Sequence, residues 1–350
     1  MSKTENQRVR ASLIATVYND VEGTQLFLQR MGEQTRKPDE IVILDAGSKD
    51  GTWEALQTYA ALPGSIPMKL LQVNRCKPAP SRNIAAHEAT YDILVVTDIG
   101  CDWQPQFFEE LVAPFETQPD LEAVMGSWEV RWENQSTVWA QADPLLRNGL
   151  ELRATPQSHA ANRAIAYTKE FYLGLGGLPE DLSFACDDMA LAFIIQAKGK
   201  HIAAAPVPRC VWFRPQTFQA LSKEAFRNFK GAGEAGIWLG FFVRNVARFV
   251  AEWAAFCGLV LGLMLKWPPI LNLIFFIVLL VMVAWRLRNW VPHWMTIRGR
   301  GGVATLGHVA VLDYTTRWSA VKGYWEGFVR GAATCALCRS KLRDCGKGWW

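Results

Sequence analysis

The stretch Tyr91-Asp-Ile-Leu-Val-Val-Thr-Asp-Ile-Gly-Cys-Asp102 decides the fold, because an apolar run in it ends abruptly in carboxylates. Its β-branched and aliphatic residues, 93 to 96, are typical of a strand that is covered on both faces. In open α/β sheets, ligands bind at the carboxyl ends of such strands. The pattern therefore predicts a buried central strand that presents Asp98 to a site. An aspartate that only starts a turn is the alternative.

The composition sets the class of protein. The chain has 350 residues, half of them hydrophobic, and a formal net charge of +4. This length has room for one large domain and a further module. The small net charge does not fit the basic surface of a nucleic-acid-binding protein, so we expect no nucleic-acid partner. Residues 1–10 are polar and lack an apolar signal segment, so we expect this end on the cytoplasmic side.

Strands alternate with helices through the first hundred residues. An apolar run at 11–17 stops at Tyr18-Asn19-Asp20 and leads into a helical pattern. A second strand, 41–44, ends in Asp45-Ala-Gly-Ser-Lys-Asp-Gly-Thr52, where glycines permit tight turns. A third strand, 69–73, precedes Ser81-Arg82-Asn83 at the head of another helix. This alternation predicts an α/β fold with right-handed crossovers and a doubly wound, mostly parallel sheet.

Four segments in this order resemble the donor-binding half of family 2 glycosyltransferases, which have the A-type, Rossmann-like fold. They are Tyr18-Asn19, the eight residues 45–52, Ser81-Arg82-Asn83 and Thr97-Asp98. The resemblance implies a nucleotide-sugar site with the diphosphate near Arg82 and Asp98. An arginine can fork onto phosphate, and a tyrosine ring can stack on a base. The implied donor-binding residues are Thr16, Val17, Tyr18, Asn19, Asp45, Gly47, Ser48, Arg82, Asn83 and Asp98.

Residues 162–191 resemble the acceptor half of the same family, in which a glycine-rich turn precedes an acidic pair at the start of a helix. By position, Asp188 matches the family's catalytic base, and Asp187 stands beside it. A carboxylate at the start of the predicted helix 189–198 is held by backbone N–H groups, so simple helix capping is the alternative. The resemblance also implies residues on the acceptor or phosphate side, namely Arg163, Trp212 and Arg214.

The chain departs from the family pattern at two positions. The metal motif of the family commonly reads Asp-x-Asp, whereas here Gly100 stands in the third place and Asp102 follows two residues later. We expect Mg²⁺ or Mn²⁺ at Asp98, while Asp102 suits either a second ligand or a helix cap. The arginine that often follows the base by six residues is Ile194 here. Its loss removes a positive partner of the acidic pair.

The sequence becomes strongly apolar after residue 240. Two long apolar runs, 246–265 and 269–285, are separated by Lys266-Trp-Pro-Pro269 and predict a transmembrane hairpin. Arginines precede the first run and follow the second, so the positive-inside rule places both outer ends in the cytoplasm. Aromatic and basic residues mix in 217–248 and again in 303–331, which is typical of segments that lie at a membrane surface.

The predicted domains follow from these patterns. They are a polar tail at 1–10, a cytoplasmic glycosyltransferase domain at 11–215 with a nucleotide-sugar half at 11–102 and an acceptor half at 103–215, interfacial helices at 216–245, a transmembrane hairpin at 246–286 and a cytoplasmic or interfacial segment at 287–350. We therefore expect an integral protein of the bacterial inner membrane, with its catalytic domain on the cytoplasmic side.

The predicted function is glycan biosynthesis by an inverting hexosyltransferase. It would move a sugar from a UDP- or GDP-linked donor to a lipid-linked or envelope-glycan acceptor. The Gln-x-x-Arg-Trp signature of processive synthases is not found, so we expect one sugar per encounter. One alternative is a non-catalytic nucleotide-sugar-binding or scaffold subunit of a membrane assembly. A nucleotidyltransferase fits less well, because those enzymes usually have a glycine-rich phosphate loop after the first strand.

Overall fold

A computed structural model describes residues 8–148, 150–158, 161–199 and 201–345. The chain divides into two compact units. The first unit comprises residues 1–131, 150–213 and 332–348, and the second comprises residues 132–149, 214–331 and 349–350. Most of the predicted polar tail at 1–10 and the end of the C-terminal segment, 346–350, lie outside the described residues.

One sheet organises the first unit. Its strands are β1 (Ala11–Val17), β2 (Glu40–Asp45), β3 (Met68–Gln72), β4 (Ile93–Val96), β5 (Cys101–Trp103), β6 (Ala123–Glu129), β7 (Glu151–Leu152), β8 (Ile165–Thr168) and β9 (Ile202–Trp212). The strand order is β3-β2-β1-β4-β8-β6-β9-β5, and β7 pairs with β6. Strands β3, β2, β1 and β4 are parallel, as in a doubly wound fold.

The remainder of the sheet is mixed. Strand β8 runs antiparallel to both β4 and β6, and β5 runs antiparallel to β9, while β6 and β9 are parallel. The α/β prediction is confirmed, but "mostly parallel" describes the first half of the chain better than the second. Residues 123–186 lack the regular strand and helix alternation from which the parallel order was predicted.

Strand β4 is covered on both faces, as its sequence predicted. Ile93 and Val95 belong to one hydrophobic cluster, and Leu94 and Val96 belong to a second cluster on the other face. Helices of the first unit cover the sheet, namely α1 (Val21–Gly32), α2 (Thr52–Ala60), α3 (Pro78–Glu88), α4 (Phe107–Thr117), α6 (Lys169–Gly174) and α7 (Asp187–Lys198). A further helix of this unit, α12 (Ala336–Asp344), contacts α7. The double burial fixes β4 in the centre, so that the residues following it lie at the edge where the site forms.

The second unit is helical. Its helices are α5 (Val138–Gln141), α8 (Phe218–Ala235), α9 (Leu239–Met264), α10 (Pro269–Gly299) and most of α11 (Leu306–Thr334). In the described part of the chain, two helices, α9 and α10, are long and apolar enough to cross a membrane. They contain the two predicted apolar runs except for Leu265, which follows the last residue of α9. Helix α9 begins before its run and α10 ends after its run, because the aromatic and basic residues there continue the helical pattern.

Helices α8 and α11 approach closely through glycines. A Cβ placed on Gly327 would lie 1.9 Å from the carbonyl oxygen of Lys230, and one on Gly323 would lie 2.2 Å from that of Phe226. Neither position has room for a side chain at this helix separation. The glycines therefore set the distance between the two helices.

Helix α12 packs in the first unit against the loop that precedes α7. The Lys341 ammonium donates to the carbonyl oxygens of Leu175 (3.0 Å) and Gly176 (3.2 Å). The backbone N–H of Cys338 donates to Asp181 Oδ2 at 3.0 Å. This C-terminal helix thus holds the loop that leads to the acidic pair.

Candidate active site

A cleft lies at the carboxyl ends of β1 and β4 in the first unit. It encloses a cavity of about 260 Å³. Five of the predicted donor-binding residues line this cavity, namely Thr16, Val17, Tyr18, Arg82 and Asp98. The half-exposed ring of Tyr18, at 52% exposure, is available for stacking. The structure therefore brings the two predicted segments that follow β1 and β4 into one site.

The predicted loop after β2 forms the rim of this region. Asp45 is fully buried, and its carboxylate accepts from the Ser48 backbone N–H and hydroxyl and from Gln72 Nε2 at 2.8 Å. The Ser48 hydroxyl accepts in turn from the Asn19 backbone N–H at 2.8 Å. Gly47 has a φ of +85°, which favours glycine. Asn19, Asp45, Gly47 and Ser48 thus shape the turn, and none of the four lines the cavity itself.

Arg82 connects the two halves of the first unit. Its buried guanidinium pairs with Asp98 through Nη2 and with Asp187 Oδ2 through Nη1, at 3.3 Å. Burial opposes the charged form, but the nearby carboxylates Asp98 and Asp187 outweigh it and raise the pKa of Arg82. The side chain is therefore a permanent positive charge between the donor cavity and the acidic pair.

The acidic pair begins helix α7. Asp187 is 7% exposed and lies 3.5 Å from Asn162 Nδ2, while Asp188 is half-buried and accepts from the Met189 backbone N–H at 2.8 Å. Burial raises the pKa of Asp187 to about 6, although Arg82 acts against the increase. Burial also raises the pKa of Asp188, against the opposing charge of Arg163. Desolvation thus outweighs the helix terminus and makes both carboxylates stronger bases than ordinary aspartates.

Arg163 is held by aromatic rings beside Asp188. Its guanidinium carbon lies 3.7 Å from the ring centre of Trp212 and 5.5 Å from that of Trp128. The two rings themselves pack edge to face at 5.3 Å. Stacking of this kind fixes a guanidinium while leaving its N–H groups available for other partners. The predicted Arg163 and Trp212 therefore lie together on the acceptor side.

Two other predicted residues have mainly structural partners. Asn83 donates to Leu178 O at 2.9 Å and accepts from Tyr172 Oη at 2.6 Å, so it holds the loop before α7. Arg214 belongs to the second unit and is 5% exposed. Its guanidinium pairs there with Asp143 and Glu224, both at 2.7 Å.

Asp98 offers one carboxylate for a metal ion. Its side chain is 29% exposed and lines the donor cavity. Asp102 instead accepts from Arg30 Nε at 2.6 Å and from the backbone N–H of Trp103 at 2.9 Å. The described residues contain no group of three or more His, Cys, Asp or Glu side chains placed to hold a metal. A divalent ion here would need oxygen ligands from the donor as well as from Asp98.

Sequence reasoning missed several residues of the site. Gln72 ends β3 and holds Asp45, Asn162 contacts Asp187, and Trp128 packs edge to face against Trp212. Position at a strand end was a usable signal for Gln72, as it was for Asp45. No local pattern links Trp128 to Trp212, because Trp212 ends β9, more than eighty residues later in the chain.

Comparisons with known proteins agree with this geometry. The family described as "Glycosyl transferase family 2" matches residues 12–191, just over half of the chain. No curated protein sequence matches the chain. The mannosyltransferase PcManGT from Pyrobaculum calidifontis, solved in complex with GDP-Man and Mn²⁺, has a TM-score of 0.50 at 20% identity, covering 96% of this chain and 88% of that one.

Two further solved structures overlap less of the chain. TarS from S. aureus has a TM-score of 0.46 at 15% identity, covering 62% of this chain and 39% of that one. GalNAc-T7 with UDP, GalNAc and Mn²⁺ has a TM-score of 0.46 at 17% identity, with coverages of 59% and 44%. The family match includes the donor cleft, Arg82 and the acidic pair, and the likeness to PcManGT supports the fold. The chain is therefore a glycosyltransferase that belongs to family 2 and has the A-type fold.

Proposed function

We propose that this glycosyltransferase moves one sugar per encounter from a UDP- or GDP-linked donor to a hydroxyl of a lipid-linked or envelope-glycan acceptor, with inversion. The observation that carries the proposal is the position of Arg82. This guanidinium lines the donor cavity and also pairs with Asp98 and Asp187. The donor cavity and the acidic pair thus belong to one electrostatic network, as transfer between two bound substrates requires.

In the proposed complex, the nucleotide lies along Thr16, Val17 and Tyr18, with the ring of Tyr18 stacked on the base. The diphosphate lies beside Arg82, whose planar guanidinium suits phosphate oxygens. Charge on Arg82 is already shared with two carboxylates, so its role is to orient the diphosphate rather than to neutralise it alone. The loop that contains Asn19, Asp45, Gly47 and Ser48 supports this wall of the cleft.

Asp188 is the proposed general base, and Asp187 is a positioning residue. Asp188 takes the proton of the acceptor hydroxyl while that oxygen attacks the anomeric carbon from the face opposite the diphosphate. The bond from the anomeric carbon to the diphosphate oxygen breaks, the leaving group takes its electron pair, and the configuration inverts. General-base help of this kind contributes about 10²- to 10⁴-fold to the rate. Asp187 fixes Arg82 through their ion pair.

The acceptor is proposed to approach past Arg163 and Trp212. The guanidinium of Arg163 is stacked on Trp212, and its charge is the main influence that opposes the rise in the pKa of Asp188. It suits hydrogen bonding to acceptor hydroxyls or to an anionic group beside the reacting oxygen. The buried pairing of Arg214 in the second unit supports only a structural role for that residue.

Mg²⁺ or Mn²⁺ is the proposed cofactor, and Asp98 is the residue that would hold it. A partly exposed carboxylate in the donor cavity fits such an ion, because both ions prefer oxygen ligands and accept them from substrate phosphates. When bound, the ion would neutralise charge on the departing diphosphate. Asp102 is occupied by Arg30, so it is not proposed as a second ligand.

We also propose that α9 and α10 anchor the enzyme in the bacterial inner membrane, with the catalytic domain, residues 11–215, on the cytoplasmic side. The length and apolar composition of the two helices support the anchor. The arginines before the first apolar run and after the second support the sidedness through the positive-inside rule. A membrane anchor would keep the enzyme next to an acceptor carried on a lipid.

A thermal-shift panel of UDP, GDP, ADP and CDP, each with and without Mn²⁺, tests the donor site. A ligand that binds only the folded state raises the unfolding temperature, so one nucleotide should stabilise the protein and should do so more strongly with Mn²⁺. Slow donor hydrolysis by the purified enzyme would then exclude the non-catalytic alternative. Stabilisation without any hydrolysis or transfer, equal in wild type and Asp188→Asn, would favour a binding subunit instead.

A further inference from the structure

A groove in the second unit combines an apolar wall with a buried arginine. It has a volume of about 280 Å³ and lies among α9, α10 and α11. Trp253, Phe256, Leu279 and Met282 line its apolar part, and Glu252 and Arg286 are its charged residues. Helices α9 and α10 are antiparallel neighbours, so the apolar residues lead away from the Glu252–Arg286 pair on both helices. The groove is therefore apolar along most of its length, with the Glu252–Arg286 pair at one end.

Arg286 has one buried donor group that makes no hydrogen bond in the described part of the chain. Its side chain is 7% exposed, and Nε and Nη2 donate to the two carboxylate oxygens of Glu252 at 2.7 and 2.8 Å. The remaining group, Nη1, is buried without a hydrogen-bond partner in the described part of the chain and lies 3.8 Å from Asp313 Oδ2. Buried donors normally make a hydrogen bond, so a guanidinium nitrogen that has only a long ion pair with Asp313 can take a further anionic partner.

The surroundings of Arg286 carry more positive than negative charge. Asp313 is already shared between Arg317, at 2.9 Å, and Arg147, at 3.6 Å. Arg248 stacks on the ring of Trp285 at 4.2 Å and is repelled by three other arginines. The interacting charged side chains are Arg147, Arg244, Arg248, Arg286, Arg317, Glu252 and Asp313. Five cations against two anions leave a surplus that a bound anion would offset.

The position of the cluster along the helices fits the surface of a bilayer. The apolar run of α10 ends at Trp285, directly before Arg286, and Trp290 follows one turn later. Tryptophans and arginines at the end of a span mark the level of lipid headgroups. The exposed apolar side chains of Trp253 and Phe256 continue from this level toward the hydrocarbon region. Arginines that can pair with a lipid headgroup and apolar side chains that can contact an acyl chain are thus present at one groove.

We propose that this groove binds one anionic membrane phospholipid, whose phosphate pairs with Arg286 and Arg248 and whose acyl chain lies along Trp253, Phe256 and Leu279. Basic pockets between membrane helices on the cytoplasmic side are known to select anionic headgroups, which are abundant in that leaflet. The proposal rests on the membrane insertion given above and does not depend on the sugar-transfer reaction. Its ligand is a structural or regulatory lipid, not the acceptor.

The full chain, purified in detergent micelles, is titrated with dioleoylphosphatidylglycerol while its unfolding temperature is recorded. Parallel titrations use dioleoylphosphatidylcholine, inorganic phosphate and a polyprenyl phosphate. The test variant is Glu252→Gln/Arg286→Gln, which removes both buried charges together, and Arg248→Gln is a second test that leaves the pair intact. Arg288→Gln is the matched control, because Arg288 is exposed on the same helix two residues away.

Phosphatidylglycerol should give a saturable rise in unfolding temperature in wild type and in Arg288→Gln, with little effect from phosphatidylcholine or inorganic phosphate. Loss of a charge-assisted contact should weaken the apparent affinity about tenfold or more in both test variants. Equal responses to the two phospholipids would overturn the proposal, as would an unchanged affinity in Arg248→Gln. A response to polyprenyl phosphate alone would assign the groove to a different lipid. Nucleotide stabilisation in the same samples tests the donor site separately.

Discussion

Replacement of Asp188 by asparagine tests the proposed base most directly. Asparagine keeps the size of the side chain, and its carbonyl oxygen can still accept from the Met189 backbone N–H. The change therefore removes basicity with little change in shape. Loss of general-base catalysis should lower kcat about 10²- to 10⁴-fold, which corresponds to about 3–5 kcal/mol in the barrier. Donor affinity should be unchanged, because Asp188 does not line the donor cavity.

The assay measures sugar transfer at saturating donor, with donor binding followed separately by thermal shift. Asp120→Asn is the matched control, since Asp120 is exposed in a turn far from the acidic pair in sequence. A variant of Asp188 that binds donor and keeps more than about a tenth of wild-type kcat would refute the assignment, because even the weakest general base contributes more than this.

The pH profile supplies a second test of the same residue. A base acts only when deprotonated, and burial raises the pKa of Asp188. The apparent pKa of the acid limb of the kcat/KM profile should therefore lie above the usual aspartate pKa of about 4. Below this apparent pKa, kcat/KM should fall about tenfold per pH unit. Arg163→Gln removes the charge that most lowers the pKa of Asp188 and should move this limb to higher pH. Arg153→Gln should leave the limb unchanged, because the Arg153 side chain is 73% exposed. An unmoved limb would exclude Arg163 as the partner of the base.

Three further predictions concern stability and the surroundings of the site. The folded pKa of Asp187, about 6, exceeds the unfolded value of about 3.9, so its contribution to stability is fully present below about pH 4 and is lost as pH rises through 6. Asp187→Asn should flatten that slope in urea unfolding measured across this range. Lys341→Ala removes two hydrogen bonds to the loop before α7 and should lower kcat without changing donor affinity in the thermal-shift assay. Gly327→Ala should destabilise the protein by about 1–3 kcal/mol in chemical denaturation, because the new methyl group would lie 1.9 Å from a backbone oxygen. Gly307→Ala is the control and should be neutral, because no atom lies nearer than 3.5 Å to its new methyl group.

The donor half of the fold could be predicted because its strand and turn patterns are local in the sequence. Each of the first strands is a short apolar run followed at once by polar turn residues, and β1 has the predicted bounds, 11–17. The family resemblance implied Thr16, Tyr18 and Asp98 as donor-binding residues, and all three lie at strand ends in one cleft. The antiparallel half was harder to predict, because β8 pairs with β4 across more than sixty residues, which include α4 and β6. Pairing at that distance depends on tertiary packing that no local pattern encodes.

Side-chain contacts were likewise predictable where they are local and not where they join distant parts of the chain. The sequence indicated the acidic pair but not the direction of its pKa shift, which is set by burial rather than by the helix terminus. Asp102 is near Asp98 in the chain, yet Arg30 on α1 draws it away. Asn83 matched the donor motif but serves the loop of the acceptor half. In each case the deciding contact comes from a distant element.

The contact between α12 and the loop before the acidic pair also affects how the enzyme is made. Cys338 and its partner Asp181 are 157 residues apart in the chain. A ribosome that adds about 5–20 residues per second needs about 8–30 s to cover this interval. Both apolar helices, α9 and α10, emerge during that time. The loop therefore receives its last support only after both apolar helices have been synthesised, so that the acidic pair of a newly made chain is completed late.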